Sequence, residues 1–398
     1  MIRLAYIFSP GSISHCALMI GAGGRDEPEN KPGLAHFLEH VLFKGTKKRN
    51  AWQILNRLEV VGGELNAYTT KEETCIHASV LNEHFERAAE LIGDIVMNPV
   101  FPEKEIEKEK EVVLDEIHSY LDNPTEQIFD DFECMVFRGH PLGRPVLGTE
   151  DSVKSFTRKD VTGFVDNHYR PTEMVFSYCG NLPEDKVKLI AEKYFSFGRK
   201  AARKGKANSA VKKSALHQEE RRNVSHAHYI CGSKAYHIQS HKRFALYQLN
   251  NILGGPGMNS RLNMNIREKN GLTYHVESGY APFKDTGMFH VYLASDTKHL
   301  SRCMELVNKE FRKLKEDKIS SAQMTRYKYQ LKGQIAIAQE NRAGVMLNNA
   351  KSVLNYNKPL NITELFKKID AVTSEEVMDV ANEILQEKKL SSLVYLPK

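Results

Sequence analysis

Apolar and polar positions along the chain switch between a two-residue and a three-to-four-residue period, and the order of the switches repeats. The opening MIRLAYIFSP is a short β-like apolar run that Ser9-Pro10 ends, and it predicts a first strand; it is too brief for the core of a signal peptide. GGELNAYTTKEETCIHASV predicts strand, turn and strand, followed by a helix over roughly 81–97. HVESGYAPFKDTGMFHVYLAS predicts the same unit before a helix near 299–314. FTRKDVTGFVDNHYRPTEMVFSYCG and VTSEEVMDVANEILQEKKLSSLVYL match each other too. Each opens with a capping box, Thr157 with Asp160 and Thr373 with Glu376, then an amphipathic helix, then a β-rich run. Strand pairs joined by short turns imply antiparallel pairing. The expected class is therefore α+β, with two homologous domains, each a largely antiparallel sheet with helices packed on one face. The repeat is also an internal control: a site present in one half only is not demanded by the fold.

Composition refines this without redirecting it. The 398 residues suit two domains, and no run approaches the ~18 apolar residues of a membrane span. The net charge of +6 would suggest nucleic acid, but RKAARKGKANSAVKK holds seven basic residues and no acid. Removing those seven leaves −1 for the rest, so the basic excess is local, in an Ala/Gly/Ser-rich stretch that reads as a linker, and no nucleic-acid partner is expected. The domains are then 1–198 and 216–398, with a basic linker at 199–215. Cys16, Cys75, Cys134, Cys179, Cys231 and Cys303 are scattered without a CxxC pair and mostly sit among apolar neighbours, which fits buried free thiols and a reducing compartment. A bacterial cytoplasm is the expected location; a mitochondrial matrix protein that has lost its presequence would read the same.

GLAHFLEHVLFKGT breaks the apolar pattern. It reads as a helix with two histidines and a glutamate amid Leu, Phe and Val. His36 and His40, four apart, lie one above the other on a helix and can share one Zn²⁺, while Glu39 projects near that face, where it could hold a water and take its proton. A lone core histidine is more often a hydrogen-bonded structural one. A second anomaly shifts the balance. FPEKEIEKEKEVVLDEIHSYLDNP predicts a strong helix that stops near Asn123-Pro124. At about 100° per residue, Ile106, Val113, Ile117 and Tyr120 share one narrow arc with Glu109 and Glu116, while Lys104, Lys108, Glu111 and Asp115 lie opposite. Buried carboxylates are costly unless a cation compensates them; otherwise both reach out from the stripe's edge. Zinc bound by Glu116, with Glu109 supporting from behind, removes that cost, and His36, His40 and Glu116 then form a three-ligand site with an open position, the catalytic kind.

In order and spacing, RDEPENKPGLAHFLEHVLFKGTKKR, GGELNAYTTKEET and EIEKEKEVVLDEI resemble the pitrilysin/insulysin family of zinc peptidases, in its short branch with mitochondrial processing peptidase and its bacterial relatives. The resemblance implies two homologous α+β domains, one Zn²⁺ per chain, and Glu116, 76 residues beyond His40, as third ligand. It implies a further active-site glutamate seven residues earlier, Glu109. It implies that Arg267 and Tyr274, in SRLNMNIREKNGLTYHVESGY, act as catalytic and substrate-binding residues on a substrate carbonyl and the oxyanion. It also implies that Asn66 and Ala67 align an extended substrate by β-augmentation. The second half has no HxxEH, and its ILGGPGMNSRL lacks the spacing of a phosphate loop and reads as a helix-entry turn. Long family members have four domains; by that likeness a two-fold homodimer would set Arg267 and Tyr274 of one subunit over the zinc of the other. The expected activity is zinc endopeptidase on unfolded polypeptides or peptides. The competing expectation is a partner-dependent or non-catalytic subunit, like the respiratory-complex core proteins related to the family.

Overall fold

A computed structural model of the protein describes residues 2–195 and 215–398; the part of the basic linker at 199–214 lies outside the described residues. In chain order the first half runs β1 (Arg3–Phe8), β2 (Ile13–Ile20), α1 (Leu34–Leu42), α2 (Ala51–Glu59), β3 (Glu64–Thr69), β4 (Thr74–Leu81), α3 (Phe85–Met97), α4 (Glu103–Leu121), α5 (Pro124–Val136), α6 (Glu150–Lys154), α7 (Arg158–His168), β5 (Met174–Gly180) and α8 (Glu184–Tyr194). The second runs β6 (His217–Arg222), β7 (Ala227–Ala235), α9 (Arg243–Gly254), β8 (His275–Pro282), β9 (Gly287–Ser295), α10 (Thr297–Glu316), α11 (Ser321–Ala338), α12 (Arg342–Tyr356), α13 (Ile362–Ala371), α14 (Ser374–Ile384) and β10 (Ser391–Pro397).

The repeat is visible strand for strand. One sheet has the order β1-β5-β2-β4-β3, the other β6-β10-β7-β9-β8. In each, the first strand pairs in parallel with the last and every other pairing is antiparallel. The order leaves β3 and β8 with one free edge each. Both expected capping boxes form: Thr157 Oγ1 accepts from Asp160 N and Asp160 Oδ2 from Thr157 N, and Thr373 with Glu376 does the same. None of the six cysteines forms a disulfide among the described residues, and five of them are buried. No helix among the described residues is long and apolar enough to cross a membrane.

Helices cover both faces of each sheet, which goes beyond the one-face packing expected from sequence. In the unit with the first sheet, Cys16, Leu18 and Ile20 of β2 face the main core with α1, α3 and α7, while Ala17 and Met19 face a second layer closed by Met346, Ala350 and Val353 of α12. Alternation along a buried central strand requires this, since both sets of side chains are apolar. The two compact units do not follow the two sequence halves. The first includes 338–360, hence α12, and the second includes 120–139, hence α5. Helix α12 crosses β1, β2 and β5. Its end is pinned by Arg3, whose Nη1 donates to Val353 O at 2.9 Å and Asn357 Oδ1 at 2.7 Å. Helix α5 crosses β7 and β10, with the Phe129 ring edge-on to His290 at 5.3 Å and Asp131 paired with Arg222 at 3.0 Å.

A chain truncated after Phe195 therefore lacks the layer that covers Ala17, Met19, Cys75 and Val175, where each large apolar side chain contributes roughly 1.5–3 kcal/mol when buried. It is expected to bind a hydrophobic dye and lose soluble yield, and co-expressed 215–398 is expected to restore both. Dye binding unchanged from the intact chain would show that α12 is dispensable to the first sheet.

Candidate metal centre

Helix α1 starts without a capping side chain at Gly33, whose φ of 87° and close approach to Gly148 exclude a β-carbon; one built there would lie 2.6 Å from Gly148 Cα. The cap comes instead from Glu27. Its Oε2 accepts from Gly33 N at 2.9 Å and its Oε1 from Ala35 N at 2.8 Å, so two unpaired N–H groups of the first turn end on one buried carboxylate. Burial pushes this carboxyl up to about 8, against the opposing backbone hydrogen bonds and the Arg144 and Lys71 charges. The start of the helix is thereby fixed, with His36, Phe37 and Leu38 turned inward.

On that helix the His36 and His40 rings stack one turn apart, edge to face, with centroids 4.7 Å apart. Helix α4 lies against them. His36 Nε2 is 3.6 Å from Glu116 Oε1, and His40 Nε2 is 3.4 Å from Glu116 Oε2. Behind, His40 Nδ1 meets Glu109 Oε1 at 3.2 Å, and Glu109 Oε2 accepts from Lys44 Nζ at 2.7 Å. The α4 stripe holds over most of its length: Ile106, Val113 and Ile117 are buried with Glu109, which is 5% exposed, Tyr120 near its end is only half-buried, and Lys104, Lys108, Glu111 and Asp115 face solvent. Glu116 sits at the stripe's margin, its side chain 42% exposed. One carboxylate is thus enclosed behind His40 and the other opens outward in front of both rings.

These residues fit a zinc ion. Ligands about 2.0–2.2 Å from a tetrahedral centre stand roughly 3.3–3.5 Å from one another, near the observed histidine–Glu116 separations. One ligand atom from each of His36, His40 and Glu116 lies within 4.8 Å of the others, and this is the one such trio among the described residues. The His36 Nδ1 atom is buried and unpartnered. Burial, with the His40 charge adding to it and Glu116 opposing, lowers the His36 imidazole to about 4, so it stays neutral and keeps a lone pair for a metal. Burial also acts to lower His40, but hydrogen bonds and charges from Glu109 and Glu116 outweigh it and push it up to about 9. The His40–Glu109 contact sets the ring so that Nδ1 donates backward and Nε2 faces the trio.

Glu39 sits on the same helix beside this trio. Its Oε2 accepts from the Thr69 hydroxyl at 2.6 Å, and among the described residues its Oε1 accepts no hydrogen bond. Burial raises its carboxyl, opposed by Thr69 and His40 and helped by Glu116. Thr69 is the last residue of β3, the free-edge strand that carries Asn66, exposed, and Ala67, half-buried. All of these belong to the first compact unit. Arg267 and Tyr274 belong to the second. Arg267 lies in the last turn of a wide helical segment, Asn263–Glu268, half-exposed and 3.7 Å from Glu268; Tyr274 is 94% exposed and makes no hydrogen bond among the described residues.

Three supporting residues were missed from sequence. Lys44 lies two residues beyond the end of α1 and pairs with Glu109 of α4, a partner that no local spacing marks. Glu27 could have been found from the absence of a capping residue at Gly33. Thr69, thirty positions from Glu39, left no local signal. In the second unit, α9 follows that sheet's second strand as α1 follows the first's, and RFALYQLNNILG has no histidine or carboxylate. The second half therefore keeps the fold without the trio.

Comparison with known proteins agrees with this division. A family profile described as insulinase, peptidase family M16, matches residues 3–150, and one described as the peptidase M16 inactive domain matches residues 155–331. The uncharacterized zinc protease YmxG of Bacillus subtilis is 33% identical over 378 residues, covering 94% of this chain and 91% of its own. An uncharacterized zinc protease of Mycobacterium leprae is 35% identical over 373 residues, covering 93% and 84%. A protease from Helicobacter pylori has the same fold, with a TM-score of 0.91 at 21% identity, over 100% of this chain and 97% of that one.

Proposed function

This chain belongs to the M16 peptidase family, the insulinases, and on that footing we propose that it is a zinc endopeptidase that cleaves unfolded polypeptides or peptides. The observation that carries the reading is the convergence of His36, His40 and Glu116 beside a glutamate with one free carboxylate oxygen. A scaffold subunit has no need of this set. Zinc, when bound by the trio, supplies a Lewis acid that acidifies water and polarises a carbonyl.

The chain's own residues do the rest. Glu39 Oε1 takes the proton from the attacking water and returns it to the departing amine nitrogen, and its raised affinity for a proton suits it to both transfers. Glu109, anchored by Lys44, holds the His40 ring in the ligand tautomer. Asn66 and Ala67 align substrate along the free edge of β3; an added strand pairs through its backbone, which only an extended chain can offer. Arg267 holds a substrate carbonyl and Tyr274 donates to the oxyanion. In this reading the chain is a two-fold homodimer, and that pair acts at the other subunit's zinc. Tyr274 supports it, being exposed and without a hydrogen bond among the described residues.

The test of the reading is zinc content by elemental analysis together with hydrolysis of a quenched peptide by the purified single chain. One zinc without hydrolysis would favour a partner-dependent subunit, and neither would favour a scaffold. Glu116→Gln is expected to lower zinc occupancy and activity together, whereas Glu109→Gln should cost activity by ~10–100-fold with a smaller loss of metal. If Glu109→Gln sheds zinc and Glu116→Gln keeps it, the two roles are reversed.

A further inference from the structure

Resting on the reading of Glu39 as general base, we infer that Thr69 is a positioning residue for that base, fixing which carboxylate oxygen takes the proton and tying it to the strand that receives substrate. The contact is short, 2.6 Å, and directional. A carboxylate only accepts, so the hydroxyl donates, giving a charge-assisted bond of the stronger kind. With Oε2 engaged, the free Oε1 is the oxygen left to accept a proton. A glutamate on a helix otherwise has rotamer freedom, and the second oxygen would exchange with the first. Thr69 removes that freedom from outside the helix.

The anchor's location adds a consequence. Thr69 ends β3, three positions beyond Asn66, so the proposed substrate-aligning residues and the base's anchor lie within about 10 Å along one strand. That strand is hydrogen-bonded to β4 over its length, from Glu64↔Ser79 to Thr69↔Thr74. Substrate register and base orientation therefore share one rigid element, the kind of support a site needs to hold its geometry. Nothing in the alternation of β3 marks Thr69, because its hydroxyl acts on a side chain from another element.

The decisive measurement is kcat and KM of the zinc-loaded full chain on a quenched peptide, for wild type, Thr69→Val, Thr69→Ala and Thr69→Ser, with zinc by elemental analysis and folding by circular dichroism. Valine keeps the branched shape and removes the donor; alanine covers the case in which valine does not fold. Both should lower kcat by ~10–100-fold with KM and zinc unchanged, and serine should stay within about threefold of wild type. Valine or alanine within about threefold of wild type overturns the inference, as does serine falling as far as they do. Zinc lost along with activity also overturns it, because Thr69 would then support the metal and not the base. A wild-type chain that holds zinc and hydrolyses nothing removes the parent reading as well. A chain that Glu39→Gln inactivates and Thr69→Val does not removes this inference alone.

Discussion

Glu39→Gln is expected to abolish nearly all hydrolysis while zinc stays at the wild-type level. The amide keeps the glutamate's length and can still meet the Thr69 hydroxyl through its carbonyl oxygen, so the packing around α1 is preserved. It cannot take a proton at the working pH. General acid–base transfer contributes typically ~10²–10⁴-fold, and here one group serves both the attack and the departure, so the loss should lie at the upper end. Among the described residues Glu39 forms no hydrogen bond or ion pair with Glu109 or Lys44, so its replacement is expected to leave the His40–Glu109–Lys44 chain in place. Elemental analysis and peptide turnover on the same preparation check this. Activity above about a tenth of wild type would remove the general-base assignment.

Mixing a His36→Ala chain with a Tyr274→Phe chain, each nearly inactive alone, is expected to restore activity. His36 belongs to the first compact unit and Tyr274 to the second. If each site in a homodimer takes its trio from one subunit and its phenol from the other, a mixed dimer has one site with both defects and one with neither. Random exchange makes about half the dimers mixed, each with one intact site of two, so recovery should approach about a quarter of wild type. The alternative, in which a chain's own Tyr274 serves its own zinc, leaves every site with one defect and gives no recovery. No recovery despite demonstrated subunit exchange, by mass spectrometry of differently tagged chains, excludes the shared site. A fully active monomer excludes the homodimer altogether.

What could be read locally and what could not divide along a physical line. Periodicity reports which face of an element is buried, never against what. Met346, Asn349, Ala350 and Val353 mark a buried stripe on α12 at helical spacing, yet nothing in that stripe says that it closes the first sheet and not the second. The same holds for α5. Sequence order places each helix in one half, and long-range complementarity places it in the other unit. The expectation that helices cover one sheet face follows from the same gap, since a central strand such as β2 is apolar on both sides and the covering helix is distant in the chain.

In the candidate site, the sequence by itself determined what depends on short spacings. His36 and His40 share a helical face because four residues make about one turn, and the arc of α4 set Glu109 and Glu116 on one side because a straight helix keeps its phase over seven residues. Tertiary structure alone decided how the two helices meet. It enclosed Glu109 behind His40 and left Glu116 half-open in front of both rings, a difference that no periodicity encodes. It also supplied the anchors, Glu27 beneath the start of α1 and Thr69 against Glu39. Glu27 makes two hydrogen bonds and Thr69 one, and a hydrogen bond is decided by a few tenths of an ångström of packing, while sequence pattern resolves only which way a side chain faces.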